Sequence, residues 1–393
     1  MKNGPLSDLR LRAGYGLQGN NAGSAYAWRP LLEPSGANYP FGGSAVTGVQ
    51  PTRNANPDLR WEQTAQSNVA LDYGFMDNRF TGTVEYYVKN TKDLLLDVTV
   101  PMPLPVSTRT ENIGRLRNTG VEFNLDGRVW ERPNMTWAAG LIFASERNKI
   151  VELGGTRTFI ATGDVSGQGQ SGQKAQRIIK GEPLGTFWGP VYTGVDGTGK
   201  QQFQCVTGSD VSCVAGKTTN KDKATNQIIG NANPDFSLGL HSTLNWNKFD
   251  FSFLIHSEQG RDVFNNTALV YSTKGNVLQD KNFLKTALSD PIGLREPAIY
   301  SSKWIEDGSF TRLQNVTLGY TFDLPLLDRL GGGATAGKGT RVYVSGDNLL
   351  LITGYDGYDP EVHTQGAGLA TRGIDNLVYP RPRTITGGFR VAF

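Results

Sequence analysis

No stretch of this chain approaches the roughly 18 consecutive apolar residues of a membrane-spanning helix, so any crossing of a bilayer falls to strands. The opening MKNGPLSDLRLRAGYGLQG has neither an apolar h-region nor a small-residue cleavage site, so the chain is expected either to stay in the cytoplasm or to begin inside a longer precursor. Neither sign of charge dominates: 39 Lys plus Arg stand against 36 Asp plus Glu, and a net charge of +3 argues against nucleic acid as the main partner. Metal ligands are scarce. The three histidines (His241, His256, His363) and two cysteines (Cys205, Cys213) have no zinc-type spacing. The glycine runs, including 331 to 333, precede no helix and cannot cradle a phosphate, so they read as linkers, and no cofactor is expected.

What the chain does have is alternation. Forty-nine glycines in 393 residues and a mean hydropathy of −0.36 point to turn-rich β structure. In DFSLGLHSTLNW, Phe236, Leu238, Leu240, Leu244 and Trp246 share one face, and Asp235, Ser237, Gly239, His241, Thr243 and Asn245 the other. After a tight turn at Asn247 and Lys248, Phe249, Phe251, Phe253 and Ile255 alternate with Asp250, Ser252 and His256. That is a hairpin with one greasy and one wet face. The pattern recurs at Leu9 to Leu17, Val69 to Phe75, Phe80 to Val88, Val121 to Val129, Met135 to Phe143 and Val316 to Phe322, and more weakly in TRVYVSGDNLL. At the C-terminus, Ile385, Phe389, Val391 and Phe393 form one more apolar face, which needs either a second packed sheet or lipid to cover it.

The connections favour lipid. Short links near 77, 133 and 247 alternate with long polar ones at 19 to 60, 91 to 113, 259 to 309 and 352 to 382, the rhythm of an outer-membrane barrel. Tyr73, Phe75, Trp137, Trp246 and Phe393 sit near strand ends, where interfacial girdles lie. Strand parity requires an even number of crossings between Arg147 and Asp235, and zero is the expectation. The segment VYTGVDGTGKQQFQCV then reads as a surface hairpin turning at Asp196 to Gly199, and the total is about ten spanning strands. Cys205 and Cys213 lie in a Gly/Ser/Thr-rich loop that suits a short-range disulfide, with two free thiols as the alternative.

Several phrases carry a resemblance. NANPDLRWEQTAQSNVALDYGFMDNRFTGTVEYYVKNTKDLLL, ENIGRLRNTGVEFNLDGRVW, GEPLGTFWGPVYTGVDGTG, IGNANPDFSLGL, WIEDGSFTRLQNVTLGYTFDLP and GYDGYDPEV resemble, in order, the C-terminal half of SusC/RagA-type TonB-linked outer-membrane transporters. The resemblance covers residues 1 to 393. It implies an all-β antiparallel portion of a 22-stranded plugged barrel in the outer-membrane lipid, importing oligosaccharides or peptides with energy from TonB. It also implies three partners: an N-terminal plug and barrel half, a SusD-like surface lipoprotein as lid, and the TonB complex reached through the plug. Nothing in the chain resembles the plug, the TonB-contacting box or the signal peptide, so the strand at Phe393 is expected to pair with a strand upstream of Met1. By the same resemblance Phe389, Val391 and Phe393 form a barrel-assembly signal. Where relatives often carry an acidic stretch this chain has the Cys205 to Cys213 loop, so no calcium site is carried over.

Individual residues have bland readings beside functional ones. Gly114 and Gly120 are expected to let strands bend, and Asn118 and Asn124 to line the wet face. Arg10 and Arg12 are expected on the wet wall. Trp188, Tyr192, Tyr355 and Tyr358 are the candidate substrate contacts, with interfacial or loop packing as the competing use. Asp356, Asp359, Glu361 and His363 crowd one loop, but glycoside hydrolysis needs a fixed carboxylate separation across a cleft, and no enzyme is expected. A self-contained passive porin or a cell-surface binding protein is the other reading of the strand pattern.

Overall fold

The computed structural model describes residues 5–21, 26–101, 103–155, 157–324, 339–362 and 371–391. Alternation becomes ten long strands: β1 (Leu6–Asn20), β2 (Glu62–Phe75), β3 (Phe80–Lys92), β4 (Arg115–Arg132), β5 (Met135–Glu152), β6 (Phe236–Trp246), β7 (Phe249–Gln259), β8 (Phe310–Phe322), β9 (Thr340–Thr353) and β10 (Thr384–Arg390). They form one antiparallel sheet in strict chain order. Strands β5 and β6 pair directly, Ala144 opposite Ser237, so no strand crosses between them. The TRVYVSGDNLL strand, weak in the sequence, is 14 residues long. Among the described residues β1 and β10 each pair on one side only and stand at the two edges of the sheet.

Register keeps the faces apart across the sheet. Leu11, Leu71, Val84, Phe123, Phe143 and Leu238 oppose one another strand by strand, and so do Asp72, Thr83 and Asn124 on the other side. A one-residue slip anywhere would turn polar groups toward the apolar side, so the pattern itself pins the pairing. Ser242 and Leu254 are among the positions that break it. Ser242 lies on the apolar face, where Trp137 Nε1 donates to its Oγ at 2.9 Å and satisfies both polar groups. Leu254 lies on the wet face, between His241 and Asn315.

Four glycines in the wall face aromatic rings on the adjoining strand: Gly82 opposite Tyr73, Gly120 opposite Tyr87, Gly127 opposite Phe80 and Gly388 opposite Tyr343. A Cβ on Gly120 would stand 2.5 Å from the Tyr87 ring, and one on Gly388 2.5 Å from that of Tyr343. The ring covers the glycine, shielding backbone that a side chain would otherwise protect. This corrects the bending role expected of Gly120. Gly114, at φ +87°, does make a backbone turn that other residues resist.

Segments expected to be plain polar loops contain structure. Leu31–Phe41 pairs with Ser44–Arg53, Leu95–Thr99 with Thr108–Asn112, and Asn266–Tyr271 is a short helix capped by the Asn265 side chain on Ala268 N–H at 2.8 Å. The main apolar core sits among the connections at the long-loop end. Val165, Phe187, Phe264, Leu269, Tyr300 and Ile374 come from three of them and form one buried cluster. The rest of the molecule is open: its accessible surface of 23385 Å² compares with about 15,000 Å² for a compact monomer of this mass. A sheet with both faces uncovered accounts for the excess.

Candidate functional site

The long-loop end of the wall carries a packed dome. Its frame is a four-stranded sheet of Phe159–Asp164, Lys174–Ile179, Thr186–Pro190 and Asn226–Asn231, buttressed by a strand (Asp262–Asn265) that pairs antiparallel with Ile305–Asp307 and parallel with Ile374–Asp375. Tyr300 is buried at the centre and donates its hydroxyl to Ala175 O at 2.6 Å. Gln170 and Gln201 hold the Pro297–Tyr300 backbone, Nε2 of each donating to a carbonyl at 2.9 and 2.8 Å. Buried amides with both ends occupied make such a junction specific as well as stable.

The carboxylate-rich loop has a structural explanation. Arg312 on β8 is almost wholly buried, and its Nη2 lies 2.7 Å from Asp359 and its Nε 3.0 Å from Glu361. Asn348 also accepts from it, and Arg381 reaches Glu361 at 3.0 Å. Asp356 donates its backbone N–H to Glu306 at 3.0 Å. The acids thus serve a buried ion cluster that pins the loop to the wall, and neither Asp359 nor Glu361 is free to act on a glycosidic bond. His363 lies outside the described residues.

The four candidate aromatics are not gathered into one site. Trp188 lines a 340 Å³ cavity in the dome, with the Arg177 guanidinium 4.7 Å from its ring. Tyr192 is half-buried on the hairpin of Tyr192–Val195 and Gln201–Gln204, edge-on to Phe203, with Lys303 Nζ 5.0 Å from its ring; burial, with Asp290 nearby, pushes its phenol up. That hairpin turns at Asp196 to Gly199, where the Asp196 carboxylate accepts from Thr198 and Lys200 N–H and is held below its usual range, first by the Thr198 hydroxyl. Tyr355 is buried with Val263 and Val362 and donates to Asp375 at 2.7 Å, so it presents no face for a substrate. Burial and the Asp375 charge push its phenol far up. Tyr358 is 75% exposed. Cys205 and Cys213 are joined by a disulfide that closes the loop beyond this hairpin.

The wet wall is laced with charge pairs. Arg12 grips Asp72 through two hydrogen bonds at 2.6 and 2.8 Å, His241 lies 3.0 Å from Asp126, and Arg341 Nε donates to Asp250 at 2.8 Å. Arg10 reaches Asp8 only at 4.0 Å. Asn124 accepts from Thr83 N–H at 2.6 Å, whereas the buried Oδ1 of Asn118 has no hydrogen-bond partner among the described residues. At the C-terminal edge Phe389 stands 78% exposed on the apolar side opposite Val342, Val391 follows the strand, and Phe393 lies outside the described residues, as do glycines 331 to 333. Sequence reasoning missed Arg177, which lies in none of the family phrases, and Arg312, which lies in one of them but was not singled out.

Residues 4–349 match the family model described as TonB dependent receptor-like, beta-barrel. The chain belongs to this family. TonB-dependent receptor P26 of Formosa agariphila is 32% identical over 99% of the chain, and TonB-dependent receptor SusC of Bacteroides thetaiotaomicron 31% over 99%. A solved RagAB peptide transporter superposes with a TM-score of 0.78 at 25% identity over 99% of the chain and 41% of its own. The chain spans about two-fifths of the length of these relatives, 40% of P26 and 38% of SusC. As a TonB-dependent-receptor barrel chain it is an outer-membrane protein and not an enzyme. The apolar side of the ten-stranded sheet is then its lipid face and the wet side its lumen face.

Proposed function

We propose that this chain forms part of the wall and the extracellular roof of an active nutrient importer, with the long-loop end outside the cell. The supporting observation is the combination of a wet-faced wall with a dome whose core is shared by three of the long connections at one end of that wall. A plug and the remaining barrel strands, supplied by sequence preceding residue 1, complete the pore. TonB energises opening through that plug, and a SusD-like surface lipoprotein covers the dome. Oligosaccharides or peptides are the substrates, in keeping with the names SusC and RagAB peptide transporter among its relatives. Phe389, Val391 and Phe393 serve insertion into the outer membrane.

A passive ten-strand porin would need β1 and β10 to pair, and among the described residues each is paired on one side only. The test is uptake by cells carrying the full-length protein as sole importer, with and without TonB, together with affinity capture of a lipoprotein on a tagged copy. TonB-dependent uptake of an oligosaccharide or peptide supports the reading. Uptake that persists unchanged without TonB overturns it in favour of a passive pore.

A further inference from the structure

The 340 Å³ cavity in the dome opens between the sheet strands at Arg177 and Trp188 and the connection carrying Lys221 and Asp222. Its polar lining is dominated by Lys174, Arg177 and Lys221, with Asp222 as the one carboxylate in the lining. Lys174 is neutralised by Asp164, and Lys221 reaches a backbone carbonyl, Gly169 O, at 3.4 Å.

Arg177 is different. Its guanidinium lies 3.9 Å from the Phe159 ring and 4.7 Å from the Trp188 ring, and among the described residues it has no hydrogen bond and no carboxylate within ion-pairing distance. Arg177 is half-buried, and desolvation depresses its pKa. Ring contacts occupy the faces of a guanidinium, leaving its edge of N–H donors for an acceptor, and that edge matches the paired oxygens of a carboxylate or sulfate.

We propose that this cavity is an oxyanion subsite, in which Arg177 with Lys221 binds the carboxylate or sulfate group of a substrate arriving at the cell surface. The inference deepens the importer reading and rests on it. Bound anion supplies the missing charge for Arg177, so occupancy satisfies a group that otherwise stays unpaired in a partly desolvated site.

The test is calorimetric binding to purified full-length protein in detergent, with three probes: trigalacturonate for the carboxylate, a sulfated trisaccharide for the sulfate, and neutral maltotriose. Native protein should bind one or both acidic probes, more weakly at high salt, and favour them over maltotriose. Arg177→Gln should weaken acidic-probe binding about ten- to a hundred-fold, the range of a lost charge-assisted bond, and Lys221→Ala by less. Which acidic probe binds tells carboxylate from sulfate. Equal binding of acidic probes by native protein and Arg177→Gln, or no preference over maltotriose, overturns the subsite. Binding in detergent needs no TonB, so that outcome leaves the uptake result standing, and a failed uptake test does not alter this one.

Discussion

Replacing Arg312 with methionine tests whether the acidic loop is held by charge. The arginine side chain is 2% exposed, Asp359 6% and Glu361 18%, so solvent screens the pair little. Methionine keeps most of the volume but strands Asp359, while Glu361 retains Arg381. Removing one partner of a buried pair costs about 3 to 5 kcal/mol, because a charge is left without compensation. If the cost falls on local opening of the Tyr355–Val362 loop, the open population rises roughly 10² to 10³·⁵-fold. Limited proteolysis of the outer-membrane-embedded protein reads this directly as faster cutting in that loop. Arg312→Met combined with Asp359→Asn should recover much of the loss, since the stranded charge is gone. Cutting of Arg312→Met at the native rate would refute the latch, leaving loop packing around Tyr355 as the sufficient anchor.

Further outcomes follow from the same geometry. Leu240→Arg on the lipid face should destabilise folding into liposomes by roughly 2 to 4 kcal/mol near the midplane, while Thr243→Ala on the lumen face should be near neutral; equal effects would mean the faces are misassigned. Asp250→Ala is a poorer control than its wet position implies, because it unpairs the part-exposed Arg341, at a cost of up to about 1 kcal/mol. Gly120→Val should drive out the Tyr87 ring, slowing assembly more than Gly16→Val on β1, where nothing lies within 4 Å of the added carbon; comparable heat-modifiability of the two variants would count against the ring-over-glycine pairing. Reducing Cys205–Cys213, eight apart in sequence, should loosen that loop by about 2 to 3 kcal/mol, read as new cleavage within 206 to 212, and its absence would show the loop held by other bonds.

The dome should also respond to pH. Burial raises Asp262 and Glu306 above their ordinary carboxylate values, so the folded dome binds protons more readily than the unfolded chain. Its stability therefore declines as pH rises from the ordinary carboxylate range through each raised value. Asp210 has the opposite sign: Ser212 hydrogen bonds hold it down to about 2, so its contribution is present above the ordinary value and is lost as pH falls through about 2. Hydrogen exchange of the dome in Asp262→Asn should show greater protection near neutral pH than the native protein, and unchanged protection would rule out a desolvation cost there.

Much of the fold is legible in the chain because a two-residue period is a local property. Phe249, Phe251, Phe253 and Ile255 declare a strand, its faces and, with the Asn247 turn, its partner, and the same holds around the sheet. Parity required an even number of crossings between β5 and β6, and the direct pairing of the two strands made that number zero. Family phrases placed the wall in the outer membrane. Tertiary structure alone decided the rest, because nothing periodic links residues that meet across distant connections. Val165, Leu269 and Ile374 share one core although each lies in a separate loop. Tyr355 became buried and Tyr358 exposed within one short phrase. Gly120 proved to be a seat for Tyr87 once register set them opposite. Arg177 and Arg312 show the limit most plainly: one lies against two rings with no carboxylate paired to it among the described residues, the other is locked between two acids, and a charge's partners are fixed by three-dimensional proximity, which the local pattern of either arginine's neighbours does not carry.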